Sequence, residues 1–356
     1  MKNIIKNLNK IALSLLLLNL LINSQELNNN RIEAKVLFKP SDIKYKISFL
    51  LKFTRAIFRH DNIFLLDMEN HRILKLNRKG EIEGQIGGIG QADNNLYYPT
   101  SFVMKNEDIY VINKGGEEVK IFDIKGECKA KFSLIENNRA DSIAVDSQGL
   151  IYINSRNKNH FKKKKLISVY NLKGKFIKSF GRIIEANNYA AYSTFNSTNL
   201  IIDDNNIYGN FNYYPNFFKY NLEGKEIYFK DMRDYKIKEI FELDKKASSM
   251  GIFGQINSGE SKGIKALPYN YGIEIFDGDI IINNIAGKLF CFDNSGKFIK
   301  ELNLIANDNT FKIFDFSINQ KKEIVGIGFT FLKNKREFFF FQTGRLYKDM
   351  IKKPQV

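Results

Sequence analysis

A short turn phrase recurs six times along the chain. It reads Leu76-Asn77-Arg78-Lys79-Gly80-Glu81, Phe122-Asp123-Ile124-Lys125-Gly126-Glu127, Tyr170-Asn171-Leu172-Lys173-Gly174-Lys175, Tyr220-Asn221-Leu222-Glu223-Gly224-Lys225 and Phe292-Asp293-Asn294-Ser295-Gly296-Lys297, with a shorter Phe341-Gln342-Thr343-Gly344-Arg345. An Asp or Asn ahead of the turn can hydrogen-bond the backbone two residues on, and Gly supplies positive φ, so each phrase reads as a hairpin turn. The glycines Gly80, Gly126, Gly174, Gly224, Gly296 and Gly344 are separated by 46, 48, 50, 72 and 48 residues. Four of those intervals match a four-stranded repeat of about 40–50 residues. Six such units predict an all-β, six-bladed β-propeller of four-stranded antiparallel blades. The long interval holds an insertion, residues 232–267, between blades four and five.

The strands between the turns support this reading. Ile63–Asp67, Ile109–Asn113, Leu150–Asn154, Ile207–Asn210, Ile280–Asn283 and Ile324–Phe329 are the second strands, rich in aliphatic and aromatic residues and mostly ending on Asp or Asn. Such runs fit strands buried between neighbouring blades. The chain has 31 Phe and 17 Tyr, types that suit half-buried strands. Its 356 residues can form one closed β domain.

The first blade carries a more specific phrase, Asp67-Met68-Glu69-Asn70-His71-Arg72-Ile73, followed by the Gly80 turn, Gly87-Gly88-Ile89-Gly90 and Tyr98-Pro99. In that order the residues resemble the NHL-repeat family. The later blades keep the strand pattern and the turn but lose Asn-His-Arg. The resemblance implies a six-bladed propeller of the sort found in sensor, scaffold and binding proteins, and no single activity. Asp67, Asn70, His71 and Arg72 are read as structural, with His71 tying a loop to the next blade. A closed ring has to join its first and last blades, since open edges invite aggregation. A strand from within residues 32–51, part of an N-terminal segment 25–53, is expected to complete the last blade. The propeller is placed at 54–350 and a tail at 351–356.

Ahead of the fold, Lys2, Lys6 and Lys10 precede an apolar run from Ile11 to Ile22, and Ser24 offers a small residue for cleavage. Residues 1–24 read as a secretory signal peptide, which places the mature chain outside the cytoplasm, periplasmic or secreted. The run falls short of the roughly 20 residues needed to span a bilayer. Cys128 and Cys291 fall in blades two and five, across the ring, whereas a disulfide needs Cα atoms within about 7 Å. Both thiols are therefore expected to be free. Two Cys and three His do not suffice for a structural zinc site.

The formal charge of +16 favours acidic partners through long-range attraction. From Ser147 to Ile184 there is no Asp or Glu, while Arg156, Lys158, Lys162, Lys163, Lys164, Lys165, Lys173, Lys175, Lys178 and Arg182 are basic. This is either a solvated Lys-rich stretch or an anion site. By analogy with propellers, loops that join second to third strands share a face with loops that join one blade to the next. That face is expected to carry Lys162, Lys163, Lys164 and Lys165, with Tyr189, Tyr192 and Phe195 before blade four and Tyr213 and Tyr214 within it. Aromatics in loops contribute contact area at low entropic cost, or pack on each other. Gly254 to Ser261 resembles a phosphate loop only faintly: Glu260 stands where Lys would hold phosphate, and the stretch reads as a mobile loop.

These residues predict a non-catalytic binding or scaffold propeller that takes a protein or an anionic polymer of the cell envelope. It is expected to be monomeric, with no cofactor, no metal, no catalytic residues and no membrane span after signal removal. Nucleic acid is disfavoured by export. The alternative is a propeller hydrolase or lyase with a channel-bound calcium, which needs convergent carboxylates. Asp141, Asp203 and Asp315 do not recur at one register.

Overall fold

The computed structural model describes residues 31–346 apart from 40–54, 60, 91, 136–137, 155, 158–164, 187, 250–269, 285–286, 307–308 and 333–334. The leader, the tail, Lys162, Lys163, Lys164 and the second half of the insertion, including the stretch read as a mobile loop, lie outside the described residues.

The chain is built from six four-stranded antiparallel blades. From the inner strand outward, blade one comprises Ala56–Arg59, Asn62–Asp67, Arg72–Asn77 and Ile82–Gly87. Blade two comprises Ser101–Lys105, Asp108–Asn113, Glu118–Phe122 and Cys128–Ser133. Blade three comprises Ile143–Val145, Ile151–Asn154, Ile167–Tyr170 and Phe176–Phe180, and blade four comprises Thr198–Ile202, Asn206–Phe211, Asn216–Asn221 and Glu226–Asp231. Blade five comprises Asn270–Phe276, Asp279–Asn284, Lys288–Phe292 and Phe298–Ala306. In blade six, Lys312–Ile318, Glu323–Leu332 and Lys335–Arg345 are followed by the N-terminal strand Arg31–Phe38.

Apolar residues alternate along these strands, so each blade presents one apolar set to each neighbour. The result is six buried clusters, one at every junction. Phe64, Ile73 and Ile86 of blade one meet Phe102 and Val111 of blade two. At the last junction Leu65 and Leu74 of blade one meet Ile327 and Phe340 of blade six, so the hydrophobic core is itself a closed ring. A fully buried Phe or Leu contributes about 1.5–3 kcal/mol.

The outer edge closes through Arg31–Phe38. It pairs antiparallel with Lys335–Arg345, Ala34 opposite Thr343 and Val36 opposite Phe341. It also pairs parallel with Phe298–Ala306, Arg31 opposite Asn303 and Glu33 opposite Ile305, so blades five and six form one continuous sheet. This corrects the reading of Gly344. Blade six takes its fourth strand from the start of the chain, so it has no third-to-fourth turn to make. Gly344 lies inside the third strand, one residue before Arg345 pairs with Glu323, and its φ is not positive.

The other five turn glycines do have left-handed backbone, with φ between 75° and 94°. The Asn or Asp ahead of the turn locks it. Asn171 Oδ1, for example, accepts from the amides of Lys173 and Lys175, both at 3.0 Å. The turns also press on the blade before them. A Cβ on Gly174 would lie 2.4 Å from Phe132 Cβ of blade two, and one on Gly224 would lie 2.7 Å from the Phe180 ring of blade three. Glycine is thus fixed there twice, by φ and by inter-blade contact.

Cys128 starts the outer strand of blade two and Cys291 lies in the third strand of blade five; both thiols are free. Burial pushes the Cys291 thiol up to about 12 and also raises Cys128. Among the described residues no helix is long and apolar enough to cross a membrane.

Candidate functional site

In an antiparallel blade the loops alternate between two faces. The second-to-third loops and the blade-to-blade loops fall on one, and the hairpin turns with their glycines fall on the other. On the loop face, the ends of the second strands are sewn to neighbouring segments. Asp67, fully buried, accepts from Asn70 Nδ2 at 2.8 Å and Arg72 Nε at 2.9 Å. His71 sits at φ 57° with Nδ1 accepting from the Tyr98 amide at 2.8 Å, and its ring lies against Tyr97 and Tyr98. Asn154 Nδ2 donates to the Asn196 carbonyl at 2.7 Å, and Asn283 Nδ2 to that of Ile313 at 3.1 Å.

Between blades three and four this face holds a denser polar network. Asp141 lies just before the inner strand of blade three, and Arg156 begins a short strand, Arg156–Asn157, that pairs with Asn138–Arg139. Arg156 Nη2 is 3.2 Å from Asp141 Oδ2, and its Nη1 donates to the carbonyl and hydroxyl of Ser193, each at 2.9 Å. The Ser197 hydroxyl, at the entry to blade four, donates to Asp141 Oδ2 at 2.5 Å. Asn212 Nδ2 donates to that hydroxyl at 2.9 Å, and Asn199 Nδ2 donates to Asn212 Oδ1 at 2.6 Å. The Asp141 and Arg156 side chains are 13% and 17% exposed, so the pair has one edge at solvent. Burial pushes the Asp141 carboxyl up, although Arg156 and the Ser197 hydroxyl beside it favour the anion. Asp141 Oδ1 and Arg156 Nε have no hydrogen-bond partner among the described residues. Both of those atoms are buried, so the pair meets solvent only through the partly exposed edge of its two side chains.

The aromatics expected on this face divide into two groups. Tyr189, Tyr192 and Phe195 are not in a loop. They lie on a helix, Tyr189–Phe195, capped by Asn188, whose side chain accepts from the Ala191 amide. They recur at i, i+3 and i+6, and that spacing turns Tyr192 and Phe195 inward, 1% and 2% exposed. Those two are core residues and offer no surface to a ligand. Tyr189, Tyr213 and Tyr214 are half-buried at the rim. The Tyr214 ring stacks edge-on against Phe195 at 5.5 Å and takes the Arg233 guanidinium at 5.9 Å. Burial raises the Tyr213 phenol most, the Asp141 charge adds to the rise and Arg156 opposes it. The insertion begins as a turn, Met232–Tyr235, and a helix, Lys238–Ser249, whose Ile240 packs into the junction of blades four and five. The basic stretch also divides. Arg156 and exposed Lys165 belong to the loop face, whereas Lys173 and Lys175 lie in the hairpin turn on the opposite side.

A second charged group sits where the inner strands converge. Glu274 of blade five and Asp315 of blade six stand near Arg55, which precedes blade one. Burial pushes Glu274 up to about 8, with Arg55 opposing and Asp315 adding repulsion. Burial likewise pushes Asp315 up to about 6 against Arg55 and the Ala56 amide, which donates to its Oδ2 at 2.7 Å. Asp203 is far from this group in role. It caps the first hairpin of blade four and accepts from the Tyr208 hydroxyl at 2.6 Å. Among the described residues no three His, Cys, Asp or Glu gather where they could hold a metal ion.

The chain is similar to several solved structures. A Bacteroides fragilis protein, provisionally named as exported, is 11% identical with a TM-score of 0.53, covering 89% of this chain and 99% of that one. BamB from Moraxella catarrhalis is 9% identical with a TM-score of 0.40, covering 82% and 70%. The designed protein Ika8 is 12% identical with a TM-score of 0.41, covering 81% and 70%. No curated protein matches the chain. The profile of a family described as a 6-bladed beta-propeller matches residues 46–263, more than half of the chain, and the protein therefore belongs to that six-bladed β-propeller family.

Proposed function

We propose that the protein is an exported, non-catalytic binding propeller of the NHL-repeat kind, which takes an acidic protein or anionic polymer on the loop face of blades three and four. The observation that carries this reading is the partly exposed Asp141–Arg156 pair, on the face that also holds half-buried Tyr189, Tyr213 and Tyr214. A rigid scaffold that holds polar groups and aromatic area together is what recognition requires. Lys165 and the neighbouring Lys162, Lys163 and Lys164 would attract an acidic partner before contact. The chemistry of the network favours holding over turnover. Ser197 donates to a carboxylate, and none of its hydrogen-bond partners is a histidine that could take its proton. Export rests on the basic and apolar leader in residues 1–24.

The test is affinity capture from a cell-envelope extract. The parent chain should retain an acidic partner. Lys165→Ser with Tyr213→Ala should lose it while keeping the parent's circular dichroism and melting temperature within a few degrees. Equal capture by both chains would remove this face as the site.

A further inference from the structure

We infer that the turn-bearing rim of blades three and four is a docking surface for an anionic membrane. Leu172, Phe176 and Ile177 of blade three are 45%, 40% and 45% exposed, and Ile227 of blade four is 50% exposed. Leu172 lies at the tip of the hairpin turn, and Phe176 and Ile177 open the outer strand that follows. The same position of the repeat shows that this exposure is particular to these two blades. Ile177 and Ile227 each follow the residue paired with the end of the third strand, Phe176 with Tyr170 and Glu226 with Tyr220. In blade one that position is Glu83, after Ile82 paired with Leu76, in blade two it is Lys129, after Cys128 paired with Phe122, and in blade five it is Ile299, half-buried against the core of blades five and six. Charged residues cover the rim of blades one and two, and isoleucines stand open on blades three and four.

Cations surround the apolar residues. Lys173, Lys175 and Lys225 are exposed. The Lys178 ammonium donates to the Leu222 carbonyl at 2.8 Å, which joins the outer strand of blade three to the turn of blade four. Two carboxylates also lie here. Glu226 is 2.7 Å from Arg182, and Glu223 is exposed on the turn of blade four. The remaining lysines leave the rim positive.

This combination fits a lipid surface better than a soluble partner. The apolar side chains stand exposed among lysines, a mix of apolar surface and cations that a layer of lipid headgroups accommodates. Lysine stems can lie along the apolar surface with their ammonium groups at the phosphates. Near an anionic leaflet each lysine strengthens partition, and the effect fades within a Debye length.

The chain contains no Trp, so one tryptophan reports from one place. Phe176→Trp would be compared with Ile89→Trp, which lies in the loop between blades one and two on the opposite face. The full chain would be mixed with vesicles of phosphatidylglycerol and phosphatidylcholine, some with brominated acyl chains. The expected result is a blue shift and bromine quenching for Phe176→Trp alone. Both should be lost in phosphatidylcholine vesicles, and replacing Lys173 and Lys175 with Gln should weaken partition roughly thirtyfold. Because the comparison is between two faces of one molecule, attachment through the apolar leader alone would quench neither or both. Unchanged emission from Phe176→Trp, equal quenching at both positions, or the same blue shift on adding soluble polyglutamate would each overturn the inference.

Discussion

Gly174→Ala tests whether the turn glycines hold blades together or merely permit a turn. At φ 75° an alanine pays for left-handed backbone, about 1 kcal/mol. Its new Cβ would also fall 2.4 Å from Phe132 Cβ and 2.5 Å from Cγ. Those atoms are close to the backbone and cannot swing away, so the blades must part slightly. Overpacking of this sort costs about 1–3 kcal/mol. Gly278→Ala is the internal control. It has φ 86° in the first hairpin of blade five, and nothing lies within 4 Å of its would-be Cβ. That variant should lose about 1 kcal/mol. Urea denaturation of the two variants would read the difference from the shift in midpoint at constant slope. Gly174→Ala should lose roughly 2–4 kcal/mol. Equal losses would show that the turn does not bear on blade two, and the account of inter-blade contact would be wrong.

Two further outcomes follow from burial. Glu274 has an ordinary value of 4.5 when unfolded and is pushed up to about 8 in the fold, so the folded state binds its proton more tightly. That contribution to stability is complete below about pH 4.5 and is lost as pH rises toward 8; Glu274→Gln should therefore gain on the parent across that window, by on the order of 2–4 kcal/mol, in denaturation curves taken at several pH values. The thiols should differ in a timed alkylation experiment: buried Cys291 should stay unmodified in the native protein, Cys128 should react slowly, and denaturation should expose two.

The architecture was legible because its signals are local. A polar residue, a glycine and an apolar strand recur within a few positions of each other, so the turn and its φ could be read from one blade at a time. What lies across a junction could not. Nothing near Gly174 in the sequence points to Phe132. Gly344 misled for a related reason: its phrase resembles the others, but the strand from residue 31 had already filled the place such a turn would serve. Tyr192 and Phe195 could have been read correctly, since Tyr189-Ala-Ala-Tyr192-Ser-Thr-Phe195 has helical spacing behind an Asn cap. The Asp141–Arg156–Ser197 network had no such signal. Its members come from three segments spread over 56 residues and share no phrase.

Binding on the loop face of blades three and four is tested most directly by where a partner touches the ring. Hydrogen–deuterium exchange on the chain, alone and with its captured envelope partner, would locate that contact. Protection confined to residues 138–142, 156–165, 188–199 and 211–216, with the hairpin turns at Gly80 and Gly126 unchanged, is the predicted result. Protection elsewhere on the ring, with those four segments exchanging as in the free protein, would contradict it.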